Sequence, residues 1–151
     1  IRIIASGKIL TGFDIIKNIC MGADMVSSAR GMMLALGCIQ ALECNKNICP
    51  TGITTQDPNL MKGLDVNNKK DRVARYHSET IHSMIDLLSA TGHNDISKIN
   101  RTHIFRRISP TEIKTYNEIY PMIDTGAFLE GNVPKAYLQD FNIANINSFI
   151  S

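Results

Sequence analysis

The sequence has no tryptophan, no long apolar run and almost no net charge. Its 151 residues include 16 Lys+Arg and 14 Asp+Glu, which gives a formal net charge of +2. This balance excludes a protein that binds nucleic acid through bulk charge, and a hydrophobic content of 44% excludes a disordered chain. The longest nearly uncharged apolar run, Gly31 to Leu42, falls short of the roughly 20 residues that a membrane span requires. We therefore expect a folded domain with no membrane span.

The first residues lack the features of a natural amino terminus and of a secretion signal. Ile1-Arg2-Ile3-Ile4 has no initiator methionine and opens in the middle of a strand-like run. We therefore expect the chain to be a piece cut from a longer, cytoplasmic protein. In that compartment the four cysteines, at positions 20, 38, 44 and 49, are expected to be reduced thiols.

The first thirty residues carry the pattern of a strand, a helix and a second strand. Ile1 to Ala5 is an apolar run typical of a strand buried on both faces of a parallel sheet. Thr11 and Asp14 are suited to begin a helix that ends before Gly22. Met25-Val26 then predicts a second short strand. This order is a βαβ unit, which belongs to folds with parallel sheets.

Three further helices are predicted. Met32 to Leu42 is apolar nearly all round, which is typical of a buried helix. Asn68 to Ala90 has the longest helical periodicity. Ser109 to Glu112 has the form of a capping box with proline at the first helical position, so a short helix is expected to run to about Tyr120. Beyond Gly126 an irregular tail is expected.

Three of the cysteines lie close together, as Cys38-x5-Cys44-x4-Cys49-Pro50. Short loops between soft ligands lower the entropic cost of bringing them to one metal or cluster. The alternative is three ordinary buried thiols, since cysteine is often buried. A structural zinc ion usually takes four ligands, and a fourth is missing here because Cys20 belongs to a predicted core helix.

The loops after the two predicted strands are candidates for phosphate binding. Ser6-Gly7-Lys8 offers backbone N–H groups and a cation, and Ser28-Ala29-Arg30 offers the same before a helix. A helix start attracts phosphate, and in barrels the loops after the last two strands often form such a site. A glycine-containing turn followed by a helix is also common scaffold.

The stretch from Ala5 to Pro58 resembles the end of the barrel in the FMN-binding domain of the glutamate synthase family. The similarity extends over roughly Ile1 to Gly92 and is strongest with the shorter relatives that lack a glutamine amidotransferase domain. Its most specific part runs from Ala35 to Gln56 and contains the three clustered cysteines.

The resemblance implies a cofactor site. Cys38, Cys44 and Cys49 match the residues that ligate a 3Fe-4S cluster in that family. The loops Ser6-Gly7-Lys8 and Ser28-Ala29-Arg30 match those that hold the phosphate of FMN. The larger synthases carry a glycine-rich turn and a Gly-Thr pair where this chain has Ser6-Gly7 and Ala29-Arg30, so the phosphate contacts are the less closely matched part.

The resemblance also implies the fold class and the division of the chain. An α/β fold is expected, in which residues 1–66 form the last two strands of a (β/α)8 TIM barrel with the iron–sulfur segment. Residues 67–108 would form a helical extension, and 109–151 a short helix and an irregular tail. Two strands are a small part of a whole barrel. We therefore expect the chain alone to be inactive, and to self-associate or to pack its helices together in a rearranged way.

The implied enzyme is an oxidoreductase of the glutamate synthase type. Reduced flavin would deliver hydride to 2-iminoglutarate, formed from 2-oxoglutarate and ammonia, and ferredoxin or an NAD(P)H-dependent reductase would supply electrons. The catalytic residues are expected upstream, so none is assigned here. One alternative is a phosphate-binding barrel of the inosine-monophosphate dehydrogenase type, which leaves the cysteines unexplained. Another is a zinc-stabilised interaction module without enzyme activity.

Overall fold

A computed structural model describes residues 1–145 and 147. The strands are β1 Ile4–Ser6, β2 Met25–Ser27, β3 Phe105–Ser109 and β4 Glu112–Thr115. The α-helices are α1 Gly12–Cys20, α2 Ala29–Leu36, α3 Pro58–Met61, α4 Val66–Ala90, α5 Tyr116–Ile119 and α6 Leu138–Ile143. Short 3-10 helices occupy Ile96–Lys98, Arg101–His103 and Lys135–Tyr137. Within this described part, no helix combines the length and the apolar character that crossing a membrane requires.

The predicted βαβ unit is confirmed. β1 pairs with β2 in parallel, with Ile4 opposite Met25 and Ser6 opposite Ser27, and α1 connects the two strands. Since parallel strands end at the same edge of a sheet, the loops after β1 and β2 lie side by side. The chain is thus a mixed α/β structure, and its place at the end of a barrel stays a prediction.

The prediction of a strand buried on both faces is wrong for the described residues. Ile4 in β1 is 61% exposed and Met25 in β2 is 51% exposed. Ile4 and Met25 are partners in the register and lie on the same face of the sheet, which has no covering layer among the described residues, whereas Ala5 and Val26 on the other face are half-buried. Exposed apolar strands of this kind favour association, which keeps self-association as a prediction.

The core lies where α1 packs against α4. Ile16 and Cys20 of α1, each 2% exposed, contact a cluster that includes Leu88 of α4 and is closed by Ile99 and Ile104. The predicted position of Cys20 in a core helix is therefore confirmed. Burial also raises the pKa of the Cys20 thiol to about 11, so this cysteine is a neutral core residue.

The beginning of α1 is stabilised by the predicted residues Thr11 and Asp14. The Asp14 backbone N–H donates to Thr11 Oγ1 over 3.2 Å, and Asp14 Oδ2 accepts from the backbone N–H groups of Leu10 and Thr11, each over 3.1 Å. Lys17 Nζ lies 3.3 Å from the other carboxylate oxygen. This reciprocal pattern is a capping box, and it satisfies amides that the helix itself cannot.

Asp14→Asn is expected to remove part of the acid sensitivity of folding. Burial opposes ionisation of this carboxyl, but the hydrogen bonds from Leu10, Thr11 and Lys17 outweigh it and lower its pKa below 3.8. Because the pKa is lower in the folded state than in the unfolded state, the ionised carboxylate stabilises the fold above about pH 4. That stabilisation is lost as the pH falls further. Urea unfolding is expected to show that the free energy of unfolding of Asp14→Asn is lower than that of the wild type by about 1 kcal/mol at pH 7. This difference is expected to shrink towards pH 2. Parallel stability profiles for the two proteins would contradict this assignment.

The predicted helix over Met32 to Leu42 is shifted in the structure. α2 begins at Ala29 and ends at Leu36, because Gly37 adopts the left-handed conformation with φ 104°. Only Gly31 in α2 is buried and its apolar side chains are half-buried or exposed, so the prediction of a buried helix is wrong for the described chain. The long helix is confirmed as α4, which begins at Val66 after the capping residue Asp65.

The predicted helix beginning at Ser109 is wrong. Residues 109–112 form the turn of an antiparallel hairpin between β3 and β4, in which Arg107 Nη1 donates to the Pro110 carbonyl over 3.0 Å. A capping box at Thr115 and Glu118 begins α5 instead. Ser109 and Thr115 can each begin a helix by sequence, but Ser109 is used in the pairing of β3 with β4, so only Thr115 begins one. The hairpin includes residues on both sides of the predicted boundary between 108 and 109. The division of the chain into three parts remains a prediction.

The expected irregular tail contains two short helical elements. A 3-10 helix at Lys135–Tyr137 leads into α6. Phe128 contacts Tyr137 and Phe141 with ring centroids 5.9 and 5.5 Å apart, which anchors these turns. Part of the tail prediction falls on residues 146 and 148–151, which lie outside the described residues.

Candidate functional site

The cysteine segment begins at the end of α2, and the helix end fixes the position of Cys38. The backbone N–H of Gly37 donates to the Leu34 carbonyl over 2.9 Å, and that of Cys38 donates to the Met33 carbonyl over 3.0 Å. This pair of bonds is a Schellman motif, which needs a residue with positive φ such as Gly37. Cys38 Sγ accepts a weak hydrogen bond from the Gln40 backbone N–H over 3.4 Å.

Asn47 ties the loop between Cys44 and Cys49 to the segment that follows it. The Thr55 hydroxyl donates to the Asn47 carbonyl, and the Gln56 backbone N–H donates to Asn47 Oδ1, both over 2.6 Å. Asn47 itself has φ 61°, a conformation that asparagine tolerates better than most residues. Sequence reasoning missed Asn47, because its partners lie eight and nine residues away.

Cys49 differs sharply from Cys20, although both are buried. Cys49 is 8% exposed, and its Sγ lies 3.3 Å from the Thr51 hydroxyl. Hydrogen bonding with the Thr51 hydroxyl is the main cause that lowers the pKa of Cys49 to about 6. The lowered pKa favours the thiolate, which is the form that binds metals.

The Thr54 hydroxyl is itself buried and has no hydrogen-bond partner among the described residues. A buried hydroxyl without a hydrogen-bond partner is costly, so Thr54 is an unsatisfied polar group of the cysteine segment. Sequence reasoning did not single out Thr51 or Thr54. The Cys-Pro-Thr-Gly run was visible, but only the fold places the Thr51 hydroxyl 3.3 Å from the sulfur.

A cavity of about 360 Å³ joins the cysteine segment to the start of α2. Its lining consists of Ala29, Arg30, Met33, Leu34, Cys38, Gln40, Leu42 and Cys44. Cys38 and Cys44 therefore share one space with Ala29 and Arg30 of the predicted phosphate loop, whereas Cys49 is outside the lining. The cavity thus joins part of the predicted cysteine site to part of the second phosphate loop, and the first phosphate loop, Ser6-Gly7-Lys8, does not line it.

No group of three metal-ligating side chains is close enough to hold a single metal ion in residues 1–145 and 147. In that part of the chain the structure thus does not bring Cys38, Cys44 and Cys49 together as one set of ligands for a single metal ion. A cluster of several iron and sulfide ions has ligands that stand further apart than those of one tetrahedral ion. Two cysteines at one cavity, with a third on the same short loop, are the soft donor type that both zinc and iron–sulfur clusters take.

The two predicted phosphate loops lie together at the carboxyl edge of the β1–β2 sheet. Ser6 Oγ donates to the Ser27 carbonyl over 3.3 Å, and Ser28 Oγ donates to the Ile9 carbonyl over 2.6 Å. Ser28 is the residue before α2, yet its side chain makes no capping bond to that helix. The first turn of α2 thus has amides without a side-chain cap, beside the exposed Lys8 and Arg30.

Comparison with known proteins gives one consistent result. A family profile described as a conserved region in glutamate synthase matches residues 1–94. A glutamate synthase large subunit-like protein of Bacillus subtilis, YerD, is 41% identical over 107 residues, 71% of this chain. An archaeal glutamate synthase [NADPH] of Methanocaldococcus jannaschii is 40% identical over 99 residues, 66% of this chain. The glutamate synthase [NADH] of Saccharomyces cerevisiae is 23% identical over 133 residues, 87% of this chain and 6% of that protein.

The matched segment contains both strands of the parallel sheet, the cavity and all four cysteines. The chain spans about a fifth of the length of the first two relatives, 20% and 19% respectively. The part that it shares with them is the part that carries the candidate site. By its sequence, the chain belongs to the glutamate synthase family.

Proposed function

We propose that this chain forms the cofactor-binding end of an oxidoreductase that makes glutamate from 2-oxoglutarate and ammonia. The cofactors are FMN and a 3Fe-4S cluster. The observation that carries the proposal is the single cavity bordered by Ala29 and Arg30 on one side and by Cys38 and Cys44 on the other. A phosphate-binding helix start and two soft ligands at one cavity suit a flavin and a cluster held close together.

In this proposal the phosphate of FMN is bound at the carboxyl edge of the parallel sheet. The backbone N–H groups of Ser6-Gly7-Lys8 and of the first turn of α2 donate to it. Lys8 and Arg30 supply positive charge, and the Ser28 hydroxyl keeps its bond to Ile9 and thereby holds the two loops in register. Gly7, with φ 96°, gives the first loop a turn that few other residues allow.

The cluster in this proposal is ligated by Cys38, Cys44 and Cys49. The Thr51 hydroxyl stabilises the thiolate form of Cys49, and burial of Cys49 limits the access of water and oxygen to it. When bound, the cluster transfers single electrons and the flavin one or two, which together link an electron donor to a two-electron reduction. The chain's own contribution is to hold the two groups in fixed relation.

The partners follow from the same proposal. The names of the relatives specify NADPH or NADH, which supports an NAD(P)H-dependent reductase as electron donor, with ferredoxin as the alternative. The substrates are 2-oxoglutarate and ammonia, and the enzyme is cytoplasmic. A barrel of the inosine-monophosphate dehydrogenase type offers no role for the cysteine segment and is not favoured.

The test is anaerobic purification of the whole protein in which this chain occurs. Visible absorption is expected to show oxidised flavin, and electron paramagnetic resonance (EPR) a three-iron signal, with iron and acid-labile sulfide in near-equal amounts. Consumption of 2-oxoglutarate with ammonia and a reduced donor is expected to yield glutamate. A protein that binds neither flavin nor iron under these conditions would contradict the proposal.

A further inference from the structure

The half-buried side chain of Tyr76 connects α4 to the segment between β1 and α1, which continues from the first phosphate loop. The Tyr76 hydroxyl donates to the Leu10 carbonyl over 2.7 Å, although the two residues are 66 positions apart in the chain. Ser28 Oγ, just before α2, donates to the preceding carbonyl, that of Ile9, over 2.6 Å. Two hydroxyl groups from different elements thus hold two successive carbonyls after the first loop.

Both hydroxyl groups approach Gly31, in the first turn of α2. A Cβ on Gly31 would collide with the Tyr76 hydroxyl and would stand 2.7 Å from Ser28 Oγ. Because Gly31 has no side chain, Tyr76 can come this close to the backbone of α2. The amides of this turn are those that the proposed function assigns to the phosphate of FMN. The Tyr76 hydroxyl therefore lies where the segment after the first loop meets the start of α2.

α4 contacts the helices that follow both phosphate loops. Lys69 Nζ lies 3.2 Å from the point where a Cβ on Gly37 would stand, and Tyr76 lies at Gly31, so α4 runs antiparallel to α2. The backbone of α4 also comes so close to the first residue of α1, Gly12, that a Cβ there would collide with it. One long helix thus fixes the starts of α1 and α2, and Tyr76 adds a hydrogen bond to the segment that leads into α1.

We infer that Tyr76 is a positioning residue for the phosphate of FMN, and that it acts by holding the two phosphate loops in register. The inference rests on the proposed function and adds a residue of α4 to it. A phosphate bound by N–H groups from two segments requires both segments at a fixed distance, because hydrogen bonds weaken steeply as their geometry departs from the optimum. A tyrosine that served packing alone would affect all flavins alike, whereas this role concerns only flavins with a phosphate.

The test is flavin binding by the whole protein in which this chain occurs, after its own flavin has been removed. FMN, and riboflavin, which lacks the phosphate, are each titrated against the protein with flavin fluorescence as the signal. Tyr76→Phe keeps the ring and removes only the hydroxyl. This variant is expected to bind FMN roughly three- to tenfold more weakly than wild type, the range that one lost hydrogen bond explains, and to bind riboflavin as wild type does.

Two further variants sharpen the test. Gly31→Ala is expected to weaken FMN binding as well, because its Cβ would displace the Tyr76 hydroxyl. When combined with Tyr76→Phe, Gly31→Ala is expected to weaken FMN binding by a smaller factor than it does alone, since the hydroxyl is already absent. Tyr116→Phe is the matched control, because it removes the hydroxyl of another half-buried tyrosine, which packs against the core cluster. It is expected to retain the affinity for FMN.

The outcomes separate this inference from the proposed function. Equal FMN affinity in wild type and Tyr76→Phe would overturn the role of Tyr76 and leave the proposed function standing. A loss of the same size for riboflavin, or for FMN in Tyr116→Phe, would also overturn it, because it would report a general change in the fold. If wild type binds no riboflavin, the comparison of Tyr76→Phe with Tyr116→Phe decides. A wild-type protein that binds no FMN would overturn both the inference and the proposed function.

Discussion

Single replacement of Cys38, Cys44 or Cys49 by alanine is expected to abolish the three-iron EPR signal and most of the bound iron. A three-iron cluster in this proposal has three protein ligands, so each variant leaves only two. Cys20 cannot substitute for a lost ligand, because it is 2% exposed in the core between α1 and α4. Burial also keeps its thiol protonated. The measurement is iron and acid-labile sulfide per chain, together with EPR.

The matched control for these variants is Cys20→Ala. It removes the fourth cysteine and a buried thiol, so it is expected to lower the free energy of unfolding by about 1 kcal/mol and to retain iron. A Cys44→Ala protein with full iron content would contradict the ligand assignment. Loss of iron from Cys20→Ala with an unchanged fold would contradict it equally, since it would place a ligand in the core.

Gly52→Ala is expected to have the largest effect on stability of any single substitution in the cysteine segment. Gly52 has φ 77°, and a Cβ there would collide with the Leu60 carbonyl and lie 3.1 Å from the Leu64 backbone nitrogen. The left-handed conformation costs an alanine roughly 1–2 kcal/mol, and overpacking against fixed backbone roughly 1–3 kcal/mol. Urea unfolding is expected to show a loss of about 3 kcal/mol. Iron content is expected to fall as well, because Gly52 lies three residues after Cys49.

Gly92→Ala separates the cost of the left-handed backbone conformation from the cost of the collision between the new Cβ and neighbouring backbone. Gly92 has φ 79°, nearly the same as Gly52, but no atom lies within 4 Å of the position of its Cβ. This variant is therefore expected to lose only the conformational part, about 1 kcal/mol, and to keep its iron. Equal losses in the two variants would show that the contact of Gly52 with α3 and the segment after it does not matter.

Much of the first third of the fold could be predicted from the sequence. The start of α1 depends on Thr11 and Asp14, which are three residues apart, and the two strands depend on short apolar runs. Local signals of this kind involve neighbours in the chain, so a sequence pattern contains them. The hairpin of β3 and β4 could not be predicted in this way, because Ser109 and Thr115 can each begin a helix and strand pairing decides between them.

The candidate site divides in the same way. The spacing of Cys38, Cys44 and Cys49 is a property of the sequence, and this spacing by itself indicates a soft metal group. Three features could not be predicted: the lowered pKa of Cys49, the hydrogen bonds of Asn47 to Thr55 and Gln56, and the approach of Lys69 to Gly37. Each depends on where a hydroxyl, a carbonyl or a cation lies after folding.

The sequence by itself determined the identity and spacing of the thiols, the βαβ order of the first elements and the family to which the chain belongs. Only the tertiary structure decided that Ala29 and Arg30 share a cavity with Cys38 and Cys44, and that Cys20 is a core residue. The physical reason is the separation along the chain over which each effect acts. Capping and periodicity act between residues a few positions apart, whereas a cavity, a pKa and a fixed charge are set by groups that meet only when distant segments pack together.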